Sequence, residues 1–142
     1  MSPEALPGDG PPRIPISPWA DSATLTSPDG RTTAAIADAW EIAMGAPTSG
    51  ELTLSNGMSR DSCNPSMIWS EDSDYLAVPQ WTTDRAQRLL VLCVSKRTSR
   101  YAPGQYRVLE LHSFRAGVVR GVDSPIHMPR PIEVDVRQLP WS

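Results

Sequence analysis

Short apolar stretches separated by turn residues recur along the chain. Glu51–Leu54 and Ile132–Val136 alternate polar and apolar side chains, as strands with one buried face do. Arg88–Val94 is almost continuously apolar, which indicates a central strand covered on both faces. The other predicted strands are Ser66–Trp69, Tyr75–Val78 (ending near Pro79), Tyr106–Leu111 and Gly117–Gly121. This pattern predicts an all-β protein of antiparallel sheets whose core includes Trp69, Leu90 and Leu92.

Turn-forming residues divide these stretches. Leu25–Arg31 contains Ser-Pro-Asp-Gly, in which proline presets φ and glycine accepts a positive φ, so it predicts a hairpin turn. Further turns are predicted at Ser55–Gly57, Ser70–Asp74 and Thr82–Gln87, and loops at Gly45–Gly50, Ser95–Gly104 and Ser124–Pro131. Residues 32–42 fit two structures, because Ala34, Ile36 and Trp40 form a period-2 face while the alanine content also permits a helix.

Two segments of the chain are alike. Ser27-Pro-Asp-Gly-Arg-Thr-Thr-Ala-Ala and Ser70-Glu-Asp-Ser-Asp-Tyr-Leu-Ala-Val each place a Ser-x-Asp turn before a small or apolar strand. A tryptophan, Trp40 or Trp81, lies near the end of each strand. A repeated unit of strand, turn and strand is typical of propeller sheets.

These segments resemble the Ser-Pro-Asp-Gly blade motif of TolB-like β-propellers over roughly residues 25–94. The resemblance implies two blade-like units, about residues 19–57 and 64–111, followed by a C-terminal β segment. A closed propeller needs about four or more blades, so the predicted arrangement is open. The size of the chain and its Ser-Pro-Asp-Gly turn also resemble small bacterial immunity proteins that neutralise toxins.

Composition sets the domain organisation. The chain has 142 residues, enough for one domain, and 15 of them are prolines, which disfavour helices. Residues 1–18 hold six of those prolines and predict a flexible arm, which leaves 19–142 as a single β domain. No apolar run is long enough to span a bilayer, and residues 1–10 lack the features of a secretory signal. We therefore expect a cytoplasmic protein in which Cys63 and Cys93 are unpaired, one disulfide being the alternative.

The charge is unevenly distributed along the chain. Residues 1–80 carry 11 Asp/Glu and 3 Lys/Arg, whereas residues 81–142 carry 5 and 10. This split predicts either an acidic face and a basic face or two halves that neutralise each other in space.

Candidate catalytic and metal-binding groups are sparse. Glu71, Asp72 and Asp74 have the oxygen ligands that Ca²⁺ prefers, but the segment lacks the glycine and distal glutamate of an EF-hand loop. Asp123, Ser124 and His127 have the residue types of a hydrolytic triad without a nucleophile-elbow motif. Neither zinc spacing nor a phosphate-binding glycine loop is present. We predict no catalytic residue, no metal and no cofactor.

Basic and aromatic residues in the second half indicate a binding surface. The predicted partner-binding residues are Trp81, Arg85, Arg97, Arg100 and Tyr101, with the irregular Ser124–Pro131 as the alternative surface. Tryptophan, tyrosine and arginine dominate the binding energy of protein interfaces. Nucleic acid is disfavoured as a partner because the whole chain is acidic, and no feature indicates a membrane.

These observations favour a non-catalytic module that binds another protein, possible roles being an inhibitor or an immunity protein. Two alternatives stay open. The first is a small hydrolase or metal-dependent enzyme that uses Asp123, His127 or the carboxylates of residues 71–74. The second is a structural subunit whose blades are completed by a partner. The sequence sets no oligomeric state.

Overall fold

The computed structural model describes residues 15–139, and about half of these residues lie in β-strands. The strands are β1 (Ala23–Thr26), β2 (Thr33–Ile36), β3 (Trp40–Glu41), β4 (Thr48–Leu54), β5 (Ser59–Cys63), β6 (Ile68–Trp69), β7 (Tyr75–Trp81), β8 (Gln87–Cys93), β9 (Thr98–Tyr101), β10 (Leu109–Arg115), β11 (Val118–Asp123) and β12 (Arg130–Asp135). In this part of the chain the only helical element is a short 3₁₀ turn at Val136–Gln138, and no helix could cross a membrane. The predicted all-β class is confirmed.

The strands form three layers, each an antiparallel meander. The first layer contains β1, β2, β4 and β5, with β3 paired to β4; the second contains β6 to β9; the third contains β10 to β12. A single residue pair, Cys63 with Gln80, joins the first two layers into one nine-stranded sheet. Within the described residues no sheet closes into a barrel or a propeller, as predicted.

Two hydrophobic cores hold the layers together, and β8 contributes to both. Leu90 and Leu92 face the first core, between layers one and two, whereas Leu89 and Val91 face the second, between layers two and three. This position explains the continuous apolar run of β8, because a strand covered on both faces needs apolar residues at every position. Trp69 lies in the first core. The predicted core positions Trp69, Leu90 and Leu92 are confirmed.

The outer faces of the stack are polar. On the first layer, Thr24 and Thr53 lie outside and are exposed. On the third layer, Arg120 donates to Glu133 across β11 and β12 at 2.9 Å, and both side chains are solvent-accessible. Polar outer faces of this kind end a stack of repeats. The three layers therefore need no further sheet to cover either face.

The two Ser-x-Asp turns have matching hydrogen bonds. Ser27 Oγ donates to Asp29 Oδ1, and Ser70 Oγ donates to Asp72 Oδ1, each at 2.6 Å. Each serine hydroxyl also accepts a backbone N–H five residues later, from Thr32 in the first turn and from Tyr75 in the second. The similarity seen in the sequence thus extends to the geometry of the turns.

Of the two structures that fitted residues 32–42, the strand alternative is confirmed, since they form β2 and β3. Several predicted boundaries are wrong. Predicted loop 45–50 includes the start of β4, and predicted loop 95–104 contains β9. Residues 59–63, for which no strand was predicted, form β5, which ends at Cys63. The predicted strands Tyr106–Leu111 and Gly117–Gly121 are shifted toward the C-terminus.

Pro79 does not end its strand, because β7 continues to Trp81. The carbonyl of Pro79 accepts from the Asn64 N–H, on the side of the strand away from β8. Since the N–H and C=O of one residue point to the same side of a strand, the missing N–H of proline also lies on that side. Pro79 therefore costs the β7–β8 ladder no hydrogen bond.

Cys63 and Cys93 are both buried and both free, as the sequence predicted. Of the predicted arm, residues 1–14 lie outside the described part, as does Trp141. The last arm residues contact the domain: the Pro18 carbonyl accepts from the Thr48 N–H and from Asn64 Nδ2.

Candidate protein-binding surface

Because every layer is a meander, its connections alternate between two ends of the stack. We call the end with the short connections the turn end; its connections span residues 27–32, 55–58, 70–74, 94–97 and 116–117. We call the opposite end the loop end; its connections span residues 37–47, 64–67, 82–86, 102–108 and 124–129. The ends of different layers coincide, since Asp29 N donates to Ser73 Oγ at the turn end and Trp81 Nε1 donates to the Thr48 carbonyl at the loop end.

Several polar groups of the turn end bind one another. Arg97 Nη1 donates to the Asn56 carbonyl, and Asn56 Nδ2 donates to the Val94 carbonyl. The carboxylate of Asp74 accepts the Ser95 N–H at 3.1 Å, and that of Glu71 accepts the Ala116 N–H. These contacts tie adjacent turns together.

The carboxylates of residues 71–74 therefore point to different partners. Asp72 is bound by Ser70 Oγ and by the Asp74 N–H, whereas Glu71 reaches the third layer. Among residues 15–139, no group of three His, Cys, Asp or Glu side chains is arranged to hold a metal ion. Their observed role is to fix turns.

The residues of the candidate triad are similarly engaged. Asp123 Oδ1 accepts the N–H groups of Arg107 and Val108 at 3.0 and 3.1 Å, and the Ser124 hydroxyl at 3.3 Å. His127 donates its backbone N–H to the Ser124 carbonyl, and none of the described hydrogen bonds joins its ring to the hydroxyl. This geometry stabilises the 124–129 loop and lacks the base–nucleophile contact of a triad.

A cavity of about 490 Å³ lies between the second and third layers. Its lining includes Tyr75, Arg100 and Phe114. Arg100 is only 4% exposed, and its Nη1 donates to the Leu139 carbonyl. Burial lowers the pKa of Arg100 and raises that of Tyr75. Arg100 is thus an interior residue that joins β9 to the chain after β12.

The loop end exposes large apolar side chains. In the described part of the chain, five large hydrophobic residues are exposed, and all five lie at this end: Trp40 (67%), Met44 (100%), Tyr101 (40%), Ile126 (80%) and Met128 (77%). They come from all three layers, since the 37–47 loop belongs to the first, Tyr101 to the second and the 124–129 loop to the third. This concentration of exposed apolar side chains at one end makes the loop end the candidate interaction surface.

Hydrogen bonds hold the 37–47 loop in place. The Thr48 carbonyl accepts from Trp81 Nε1 and Asn64 Nδ2, each at 2.9 Å. Nearer the tip, Gly45 donates its N–H to Glu41 Oε2 at 2.7 Å, and its carbonyl accepts from Trp19 Nε1 at 3.0 Å. Trp40 and Met44 are therefore presented on a fixed loop.

Tyr101 is held equally firmly. Its hydroxyl donates to Gln80 Oε1 at 2.6 Å, and the Arg88 guanidinium lies 3.7 Å from the centre of its ring. Gln80 in turn donates to the Asp61 carbonyl at 2.9 Å. Because its position is fixed in advance, the Tyr101 ring would lose little conformational entropy on binding.

The five residues predicted to bind a partner do not form one surface. Trp81, Arg85 and Tyr101 lie at the loop end, and Arg97 lies at the turn end. The seven residues of β8 separate Arg85 from Arg97 by roughly 20 Å. Arg100 is buried between the layers, so its position does not fit the predicted contact with a partner.

Sequence reasoning missed four residues of this surface. Trp40 was assigned to an apolar strand face, but β3 is only two residues long and its tryptophan points outward. Met44 carried no signal apart from its place in a short apolar segment. Ile126 and Met128 lie in the irregular segment that was named as the alternative surface, and the run of prolines there was the available signal.

The loop end is also divided by charge. Its first-layer side carries Asp21, Asp38, Glu41 and Asp61, all exposed. Its second-layer connection carries Asp84 and Arg85, which offset each other, and its third-layer side carries Arg107 and Arg130; all four are exposed. The first- and third-layer sides of this end therefore differ in the sign of their exposed charges.

Comparison of the chain with protein-family models, with curated proteins and with solved structures found no match.

Proposed function

We propose that this protein is a non-catalytic module that binds another protein through its loop end. One observation carries the proposal: all five large apolar side chains exposed in the described residues lie at that end. The turn end offers a contrast, because several of its polar groups bind one another and none of the large apolar side chains exposed in the described residues lies there. Trp40 and Tyr101 are of the residue types that most often dominate binding energy.

The finer form of the proposal is an inhibitor or immunity protein that covers the active site of a partner enzyme. The fixed 37–47 loop supports it, since rigid loops that carry an exposed aromatic residue bind with a small entropic cost. The resemblance of the Ser-Pro-Asp-Gly turn to those of immunity proteins points the same way. Two unpaired buried thiols support a reducing, cytoplasmic compartment.

The alternatives have weaker support. A role as an incomplete propeller completed by another chain would require an apolar outer face, and both outer faces carry exposed polar residues. A hydrolytic or metal-dependent role would use Asp123 or the carboxylates of residues 71–74, which accept backbone N–H groups that hold loops and turns.

Truncating the loop-end side chains should weaken partner binding without loss of folding. We expect Trp40→Ser and Met44→Ser each to raise the dissociation rate of the partner complex about tenfold or more, because truncation of a central interface residue costs roughly 1–2 kcal/mol or more. Surface plasmon resonance with the partner identified by cross-linking would measure the rates. Lys96→Ser, at an exposed turn-end position, is the matched control and should leave them unchanged.

If Lys96→Ser changed the dissociation rate more than both loop-end substitutions, the binding surface would lie at the turn end and not at the loop end. Equal unfolding midpoints in urea for all three variants would establish that any change in rate reflects the surface and not the fold.

A further inference from the structure

The two sides of the loop end are complementary to each other. Four carboxylates, Asp21, Asp38, Glu41 and Asp61, lie on the first-layer side, and Arg107 and Arg130 lie on the third-layer side. Each side also carries exposed apolar residues, Trp40 and Met44 on the first and Ile126 and Met128 on the second. Tyr101 lies in the layer between them.

We propose that the loop end binds the loop end of a second copy of this chain, in an antiparallel arrangement about a two-fold axis. The inference rests on the proposed function, in that it takes the loop end as a protein-binding surface. In a two-fold interface the same patch serves both subunits, so a contact from the acidic side to the basic side occurs twice.

The layered architecture fits this symmetry. Packed sheets lie about 10 Å apart, so the acidic and basic sides are at similar distances from the middle layer. An axis through the middle layer near Tyr101 therefore places the first layer of one copy opposite the third layer of the other. The 37–47 loop then faces the 124–129 loop, and apolar side chains meet at both ends of the interface.

The size of the loop end is sufficient. Three layers at a spacing of about 10 Å, with strands about 4.8 Å apart, give an end face of roughly 500 Å² in projection. Two such faces would bury roughly 1,000 Å² in total, the lower bound for a specific interface. Pairing of this kind would cover the exposed apolar residues and would compete with a different partner protein for the same surface.

Charge reversal tests the arrangement with the purified protein alone. One variant combines Asp21→Lys with Glu41→Lys, and the other combines Arg107→Glu with Arg130→Glu. Sedimentation velocity from about 1 to 200 µM should show a monomer–dimer equilibrium for the wild type. The dissociation constant of the dimer should be about tenfold higher or more for each variant, because the variant places like charges opposite each other at both contacts.

Mixing the two variants in equal amounts should restore association, because the mixed pair has opposite charges at both contacts. Damage to the fold would not be repaired by mixing. Rescue would therefore show that the weaker association of each variant comes from the reversed charges and not from misfolding. The control, Arg31→Glu with Lys96→Glu, reverses two exposed turn-end charges and should dimerise as the wild type does.

A wild type that remains monomeric throughout, variants that associate normally, or a mixture that fails to rescue would each overturn the proposal. The proposed function is tested separately, by Trp40→Ser in the complex with a different protein. A monomeric wild type whose hetero-complex is weakened by that substitution would reject self-association while supporting the loop end as a binding surface.

Discussion

Replacing Trp69 by alanine should lower the free energy of unfolding by about 3–5 kcal/mol, the cost typical of truncating a large buried aromatic residue. The indole is 2% exposed and lies in the core between the first two layers. Its Nε1 also donates to the Leu25 carbonyl at 2.8 Å, which ties the edge strand β1 to β6. The substitution therefore removes packing and leaves the Leu25 carbonyl without this donor.

Urea unfolding followed by circular dichroism would measure the effect of Trp69→Ala. Trp40→Ala is the matched control, because this tryptophan is 67% exposed and its loss should change the free energy by no more than about 0.5 kcal/mol. Similar midpoints for the two variants would mean that Trp69 does not hold the first two layers together.

Stability should fall steeply in alkaline solution because of Cys63. Burial, with a smaller contribution from Asp61, raises the pKa of this thiol from 9.0 to about 12. The thiol also lies 3.4 Å from the Asp61 carbonyl, to which it donates its proton. The folded state therefore keeps a proton that the unfolded chain releases near pH 9.

The direction of the pH effect follows from this difference in the pKa of Cys63 between the folded and unfolded states. Stabilisation by the buried neutral thiol is fully present below about pH 9 and is lost as the pH rises toward 12, at about 1.4 kcal/mol per pH unit. Tyr75 and Tyr106 also have raised pKa values because of burial, so they add to the loss above pH 10.

Comparison with Cys63→Ala isolates the thiol. Between pH 9 and 10.5, the wild type should lose about 1.6 kcal/mol more than this variant in urea unfolding. Parallel curves of stability against pH for the two proteins would show that the thiol is not protected from ionisation in the folded state.

The middle of the fold could be predicted from the sequence because its signals are local. The apolar run of β8 and the Ser-x-Asp turns can each be recognised from a few consecutive residues. For such segments, burial on both faces or a fixed turn geometry restricts the residue types directly.

The candidate surface could not be assembled in the same way. Whether Arg85 and Arg97 share a surface depends on the number of strands between them, and the single strand β8 places them at opposite ends. The burial of Arg100 depends on the packing of the third layer against the second. That packing brings the Leu139 carbonyl, which accepts a hydrogen bond from Arg100, next to β9. Trp40 lies in the two-residue strand β3 and is exposed, whereas the sequence alone left residues 32–42 open between strand and helix.

The prediction of β7 failed for a related reason. A proline usually ends a predicted strand, but here its missing N–H faces away from β8. Whether the missing N–H costs a hydrogen bond depends on which side of β7 the paired strand lies, and the sequence of β7 alone does not show this.

The central claim, that the loop end is the protein-binding surface, is tested most directly by site-specific photo-cross-linking. A photoreactive amino acid placed at Met44 or Met128 would probe the loop end, and the same group at Lys96 or Ala116 would probe the turn end; all four positions are exposed. The account predicts that a single protein species is cross-linked from both loop-end positions, with little product from the turn-end positions. Cross-linking mainly from Lys96 and Ala116, with none from Met44 and Met128, would contradict it.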